Sequence, residues 1–187
     1  MSLSDILTAH ADGFRQKTGV SGKLTIADMT RLLDDLSWNK TNLLRGTSDQ
    51  WKTLTVSGWL GAFTCSDQFF KFNGTPAGTM FTYSATIKNT LSEPVELQAW
   101  PCDGQKERLT DYGFKMSEYL GTGQTKDISV SFPQLSVAVY AQVGIYSQSG
   151  TVPQDSTFQV KNERLYEGTE PGIWTPNPAD KVEGSAV

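Results

Sequence analysis

Hydrophobic and polar positions follow two different rules along this chain. Up to residue 37 they recur at helical spacing, with Leu3, Ile6, Leu7, His10 and Phe14 on one stripe and polar residues opposite, the pattern of a half-buried helix. Ser2 and Asp5 form a start signal in which hydroxyl and carboxylate meet orphan backbone N–H groups. After Gly19 and Gly22 the pattern restarts at Thr25, with Asp28 three positions on, and gives the stripe Ile26, Met29, Leu32, Leu33 and Leu36. A helical hairpin is predicted. A unit of about 35 residues buries too little apolar surface to stand alone. Its stripes therefore need a partner, and sister copies or another protein are favoured over the chain's own second module. Leu3, Ile6, Leu7, His10, Phe14, Met29, Leu32 and Leu33 are the candidate oligomerisation or attachment residues.

From Trp38 the period changes to two, the mark of half-buried strands. Phe81, Tyr83, Ala85 and Ile87 share one face of a strand and Thr82, Ser84, Thr86 and Lys88 the other. Val95, Leu97 and Ala99 oppose Glu96, Gln98 and Trp100, and Ile128, Val130 and Phe132 repeat the alternation. The longest run goes from Leu135 through Val137, Val139, Ala141 and Val143 to Ile145, with Tyr140, Gln142 and Tyr146 on its second side. Phe158 and Val160 open a final strand. Turn signals at Asn73-Gly74, Pro94, Asp103-Gly104 and Gly121-Thr122-Gly123 separate the runs. Many strands without helices between them predict a mainly β fold, an antiparallel β-sandwich of jelly-roll type, behind the short N-terminal hairpin. The expected division is a helical module at 1–37, a sandwich at 38–176 and a flexible C-terminal tail at 177–187, extended and partly disordered after Trp174.

Composition narrows the function. The formal net charge of −4 is spread along the chain, whereas a nucleic-acid binder needs a concentrated basic surface. No apolar run approaches the ~20 residues of a membrane span, and no secretory signal is visible. Synthesis in a cytoplasm without membrane insertion is expected. Cys65 and Cys102 stand far apart without neighbouring Cys or His, so metal-site spacing is absent. They read as two buried thiols, with a single bridge as the alternative.

Catalytic constellations are missing. The one histidine, His10, lies on the helical stripe and reads as a packing or interface residue rather than a base. Asp103, Glu107, Asp111 and Glu118 offer carboxylates, but they share one stretch with Lys106 and Arg108 and read as a solvated mixed-charge surface. No phosphate loop is present, and no cofactor is called for. Scattered carboxylates leave a structural calcium ion open without demanding one.

The aromatic residues are more telling. All five Trp, all six Tyr and every Phe but Phe14 lie in the β region. The face opposite the core carries Trp100, Tyr140, Gln142 and Tyr146, flat rings of sugar-like size with polar groups to fix orientation. These are the candidate carbohydrate-binding residues, the alternative being burial under a loop or the hairpin. Tyr112, with Phe114 and Tyr119, marks a second candidate in a polar-aromatic loop.

Several motifs carry a resemblance. Asn42-Leu43-Leu44, Gly46-Thr47-Ser48 and Tyr83-Ser84-Ala85-Thr86-Ile87-Lys88-Asn89-Thr90 resemble the opening half of the carbohydrate-binding-module-like jelly rolls in tail and baseplate proteins of phages that infect lactic acid bacteria and their relatives. Val160-Lys161-Asn162, Leu165-Tyr166-Glu167-Gly168 and Trp174-Thr175-Pro176-Asn177-Pro178-Ala179-Asp180 resemble its closing half. The helical region, through Leu7-Thr8-Ala9-His10-Ala11-Asp12, Lys17-Thr18-Gly19 and Lys23-Leu24-Thr25-Ile26-Ala27-Asp28-Met29, resembles a short module of phage tail and fibre proteins. The stretch from Trp100 to Gly123 matches no motif, so no binding residue is carried over. The resemblance implies a non-enzymatic virion protein that contacts host cell-wall polysaccharide and other tail proteins. It also implies a homo-oligomer, trimer or hexamer, in which repeated weak sites give avidity.

Overall fold

The structure, a computed structural model, describes residues 41–56 and 68–180 together with Thr8, Ala11, Asp12, Thr25 and Thr64. The chain divides into two compact units, Met1–Asn39 and Lys40–Val187. In the first, Thr8, Ala11 and Asp12 are helical. The predicted hairpin and its stripe residues Leu3, Ile6, Leu7, His10, Phe14, Met29, Leu32 and Leu33 lie outside the described residues, as do Cys65 and residues 181–187.

The second unit is a β-sandwich. Its strands are β1 (Lys52–Thr55), β2 (Phe69–Lys71), β3 (Met80–Lys88), β4 (Val95–Cys102), β5 (Lys115–Met116), β6 (Thr125–Pro133), β7 (Tyr140–Ser147) and β8 (Thr157–Glu167). They form two four-stranded antiparallel sheets, in the orders β1-β8-β3-β6 and β2-β7-β4-β5. The chain changes sheet at every connection but β4 to β5, the interlocked order of a jelly roll. Alternation sets the core: Phe81, Tyr83, Ala85 and Ile87 of β3 and Ile128, Val130 and Phe132 of β6 meet Val95, Leu97 and Ala99 of β4 and Ala141, Val143 and Ile145 of β7, as period-two faces require.

The run read as one strand from Leu135 to Ile145 is shorter than the pattern suggested. β7 begins at Tyr140, and the preceding residues turn, with Ala138 N donating to Leu135 O. Val137 and Val139 are exposed. The reason is the partners: β2 ends at Lys71 and β4 at Cys102, and both pair there with Tyr140.

The two ends of the sandwich are clasped together. Asn42 is fully buried and uses both ends of its amide. Its Nδ2 donates to Glu163 O (3.1 Å) and Thr47 Oγ1 (3.0 Å), and its Oδ1 accepts from Leu44 N and Leu165 N. Downstream of β8, Trp174 Nε1 donates to Thr47 Oγ1, Asn177 Nδ2 to Asn42 O, and Gly46 N to an oxygen of Asp180. Residues 177–180, expected in the flexible tail, are instead bonded to the start of the sandwich, with a 3₁₀ turn at Pro178–Asp180. On the outer side of the first sheet Arg164 holds Asp127 through two nitrogens (2.5 and 3.1 Å) and donates to Gly172 O.

Candidate saccharide site

The side of the β2-β7-β4-β5 sheet that faces away from the core presents Glu96, Gln98, Trp100 and Cys102 from β4. β7 adds Tyr140, Gln142 and Tyr146, and β2 adds Phe69 in register with Gln142. Gly144 lies between Gln142 and Tyr146 on this side, opposite Gln98, and leaves the middle of the face without a side chain. Glycine in a strand interior often marks such a close approach.

What crosses that gap comes from the connection after β4. The chain folds back on itself, with Asp103 N donating to Glu107 O and Leu109 N to Pro101 O. Asp103 Oδ1 closes the turn by accepting from Gln105 N and Glu107 N. This return pairs Arg108 with Cys102, and residues paired across antiparallel strands project to one side. The guanidinium therefore lies on the outer face. Its Nε donates to Gln142 Oε1 (2.6 Å) and its Nη2 to Tyr146 Oη (2.8 Å), and its Cζ sits 4.5 Å from the Trp100 ring centroid. Gln142 and Tyr146 flank Gly144, so a guanidinium that bonds both spans the glycine.

Around this centre the polar groups are ordered in chains. Trp100 Nε1 donates to Gln98 Oε1 (2.8 Å), and Gln98 Nε2 donates to Glu96 Oε1 (2.6 Å). Gln142 Nε2 passes the network on to Gln68. Phe114 stacks on Trp100 at 4.4 Å between centroids and is itself 38 % exposed. Further along, the Lys106 ammonium lies 5.1 Å from the Phe69 ring and 5.6 Å from that of Tyr140, within cation–π range. Lys106 is held there by a left-handed backbone, φ 68°, unusual for a residue with a side chain.

Burial shapes the titration of this face. It pushes the Tyr146 phenol up to about 12, the positive charge of Arg108 opposing the rise. It also raises the carboxyl of Glu96, which the hydrogen bond from Gln98 partly offsets. Oε2 of Glu96 is buried without a hydrogen-bond partner. Cys102 is a free, buried thiol whose pKa burial likewise raises. Among the described residues no group of His, Cys, Asp or Glu is placed to hold a metal ion, and no helix is long and apolar enough to cross a membrane.

Of the residues expected from the sequence, Trp100, Gln142 and Tyr146 meet around Arg108, where Gln142 and Tyr146 are buried beneath the turn rather than presented on an open face, and Tyr140 joins the neighbouring lane through Lys106. Tyr112 stands elsewhere. It is 57 % exposed in a 3₁₀ turn (Thr110–Tyr112) and lines an apolar cleft of about 160 Å³ with Phe114, Phe132, Leu135 and Ala138. The sequence reads Arg108 and Lys106 as solvated charges, which holds for the exposed Lys106, and Glu96 and Gln98 as plain second-face polar residues. Arg108 is instead half-buried and bonded to the strip. A tight-turn signal at Asp103-Gly104 right after a strand was the available clue, because it folds the next few residues back beside that strand.

No protein-family model matches the sequence, and no curated protein matches it. Among solved structures the chain is similar to the C-terminal domain of EclA, a sugar-binding protein, at 13 % identity and TM-score 0.40 over 64 % of this chain and 79 % of that one. It is also similar to the tripod from the baseplate of bacteriophage Tuc2009, at 13 % identity and TM-score 0.45 over 75 % and 60 % of the two chains. A third similarity is to the N-terminal part of the endo-1,4-beta-D-xylanase 10B of Clostridium thermocellum, solved with xylohexaose, at 13 % identity and TM-score 0.38 over 74 % and 29 %.

Proposed function

We propose that this chain is a non-enzymatic component of a phage tail, at its tip, baseplate or fibre, and that its β-sandwich binds host cell-wall polysaccharide on the outer face of the β2-β7-β4-β5 sheet. The observation that carries this reading is the joining of Trp100, Arg108, Gln142 and Tyr146 into one bonded strip, with Tyr140 and Lys106 beside it. Aromatic surface of Phe114 and Tyr140 for the apolar side of a pyranose lies next to the guanidinium of Arg108 and the ammonium of Lys106, while Gln142 and Tyr146, buried at 8 % and 6 % exposure, hold the guanidinium in place. A strip already held by its own hydrogen bonds loses little freedom when ligand arrives. Motifs resembling phage jelly rolls support the setting, a virion assembled in the bacterial cytoplasm. In that setting residues 1–37 attach the sandwich to other tail proteins or to sister copies, and a trimer or hexamer supplies avidity.

The test is binding of the labelled full-length protein to intact Gram-positive cells and to their extracted wall polysaccharide. Saturable binding that the polysaccharide competes, and that Trp100→Ala and Tyr140→Ala weaken, is expected. Absence of binding by a verified oligomer would overturn the reading.

A second reading, a structural tail protein whose sandwich packs on neighbouring subunits without binding sugar, is favoured by the exposed apolar residues Tyr112, Met116, Tyr119, Val137 and Val139. It predicts that the outer strip is covered in the assembled particle, and cross-linking from the strip to a neighbouring tail protein would show this.

A further inference from the structure

The sandwich holds two half-buried or buried arginines on its outer faces, and they are treated differently. Arg164 is matched by a carboxylate, Asp127, gripped through two nitrogens. Arg108 is matched by none among the described residues: its two protein acceptors are the neutral amide of Gln142 and the neutral phenol of Tyr146. A guanidinium has five N–H donors; two are used here, so three remain without a protein acceptor, and the charge lies against the Trp100 and Tyr146 rings without a carboxylate. Among the described residues no carboxylate forms an ion pair with it, although Glu96 lies opposite Tyr146 in the sheet register. Asp103 directs Oδ1 onto backbone N–H groups of its own turn, Glu107 is exposed, and Glu96 sits beyond Gln98 at the end of the donor chain from Trp100. Lys106, the second cation of this face, also has aromatic rings and no carboxylate as its side-chain partners.

Removing a cation from water without an opposite charge is unfavourable, and the bonds to Gln142 and Tyr146 position the guanidinium while leaving its charge without a counter-ion. From this we infer that the glycan bound by the strip is acidic, and that its anionic group, a phosphodiester or a carboxylate, docks on the unused donors of Arg108 with Lys106 as a second cationic contact. The inference rests on the saccharide-binding reading above and names its ligand class. The planar fork of arginine suits both oxyanions. Stacking on Trp100 and the bonds to Gln142 and Tyr146 fix the fork in place beforehand, while Lys106 on its longer stem adds charge without fixed geometry. The chain as a whole is acidic, with a formal charge of −4, so two unpaired cations on one aromatic strip are not a by-product of basic composition.

The experiment uses the full chain and one wall polysaccharide in three forms: native, freed of phosphate with hydrofluoric acid, and with its uronic acids reduced through carbodiimide. Binding of each is measured at ~50 mM and ~200 mM salt, conditions across which exposed charge pairs weaken. Binding that falls at least about tenfold on loss of one anionic group, weakens with salt, and is reduced similarly by Arg108→Gln supports the inference; the treated form that loses binding identifies the source. Equal binding of all three forms without salt dependence overturns it and leaves the saccharide reading standing. No binding of any form overturns both. The three-form comparison uses the unaltered protein, so it decides the matter even if Arg108→Gln folds poorly.

Discussion

Arg108 donates from Nε to Oε1 of Gln142 at 2.6 Å although the residues stand 34 positions apart. This bond ties the turn after β4 to the centre of β7. With the second bond to Tyr146 it makes the guanidinium the keystone of the outer face. Arg108→Met keeps much of the aliphatic stem and removes every donor. It should lower stability by about 1–3 kcal/mol, or very roughly 2–12 °C in Tm at a few degrees per kcal/mol. Near-ultraviolet circular dichroism should show the Trp100 signal altered before unfolding, and an unchanged Tm and spectrum would remove Arg108 from the structural account.

Gly144 leaves the strand position between Gln142 and Tyr146, the two residues that hold the guanidinium, without a side chain. Gly144→Leu should therefore displace Arg108 and reproduce much of the stability loss of Arg108→Met. Residues that share one interaction are non-additive, so adding Gly144→Leu to Arg108→Met should have a clearly smaller effect than in the wild type. Full additivity in denaturant titrations would show that the glycine serves another purpose.

Lys106 adopts a backbone that favours glycine. Lys106→Gly should leave stability unchanged or raise it by up to about 1 kcal/mol, while weakening polysaccharide binding. A protein that becomes more stable and binds less well separates function from folding at this position. A stability loss above about 1 kcal/mol would mean that the contacts with Phe69 and Tyr140 are structural.

Glu96 makes the stability of the sandwich depend on pH. Its folded carboxyl holds a proton more tightly than the unfolded chain does, because burial raises it above the ordinary carboxylate range. That contribution is complete below the unfolded value and is lost as pH rises through the folded one. Glu96→Gln cannot titrate there, so its Tm should gain on the wild type as pH goes from about 4 to about 8. Parallel Tm curves for the two proteins would contradict the raised carboxyl.

Asn42 makes four side-chain hydrogen bonds in a fully buried setting, and two of them, with Glu163 O and Leu165 N, join the start of the sandwich to β8. Asn42→Ala strands Leu165 N and Glu163 O, and should destabilise by about 2–4 kcal/mol. Thermal melts with saccharide binding measured well below Tm are the check. Binding should persist there, because the clasp and the outer strip are built from different residues.

Much of the fold was legible because period-two alternation states which side of a strand is apolar. The core residues of β3, β4, β6 and β7 follow directly from it, and so does the second face bearing Trp100, Gln142 and Tyr146. Alternation carries no information about where a strand's neighbours end, which is why Val137 and Val139 belong to a turn. The motifs resembling phage jelly rolls, at Asn42 and at Trp174 to Asp180, meet in one clasp, so they report on how the sandwich is closed rather than on what it binds.

The sequence by itself determined the strand content, the inward face of each main strand and the presence of aromatic and polar residues on the opposite face, all of which depend on local geometry. Only the tertiary structure decided that Arg108 and Lys106 belong with them. Their placement needs the return of the chain at Asp103, the pairing of Arg108 with Cys102, and the register that sets Gly144 between Gln142 and Tyr146. Those are contacts between residues remote in sequence, fixed by hydrogen-bonded pairing across the sheet, and no local pattern encodes them.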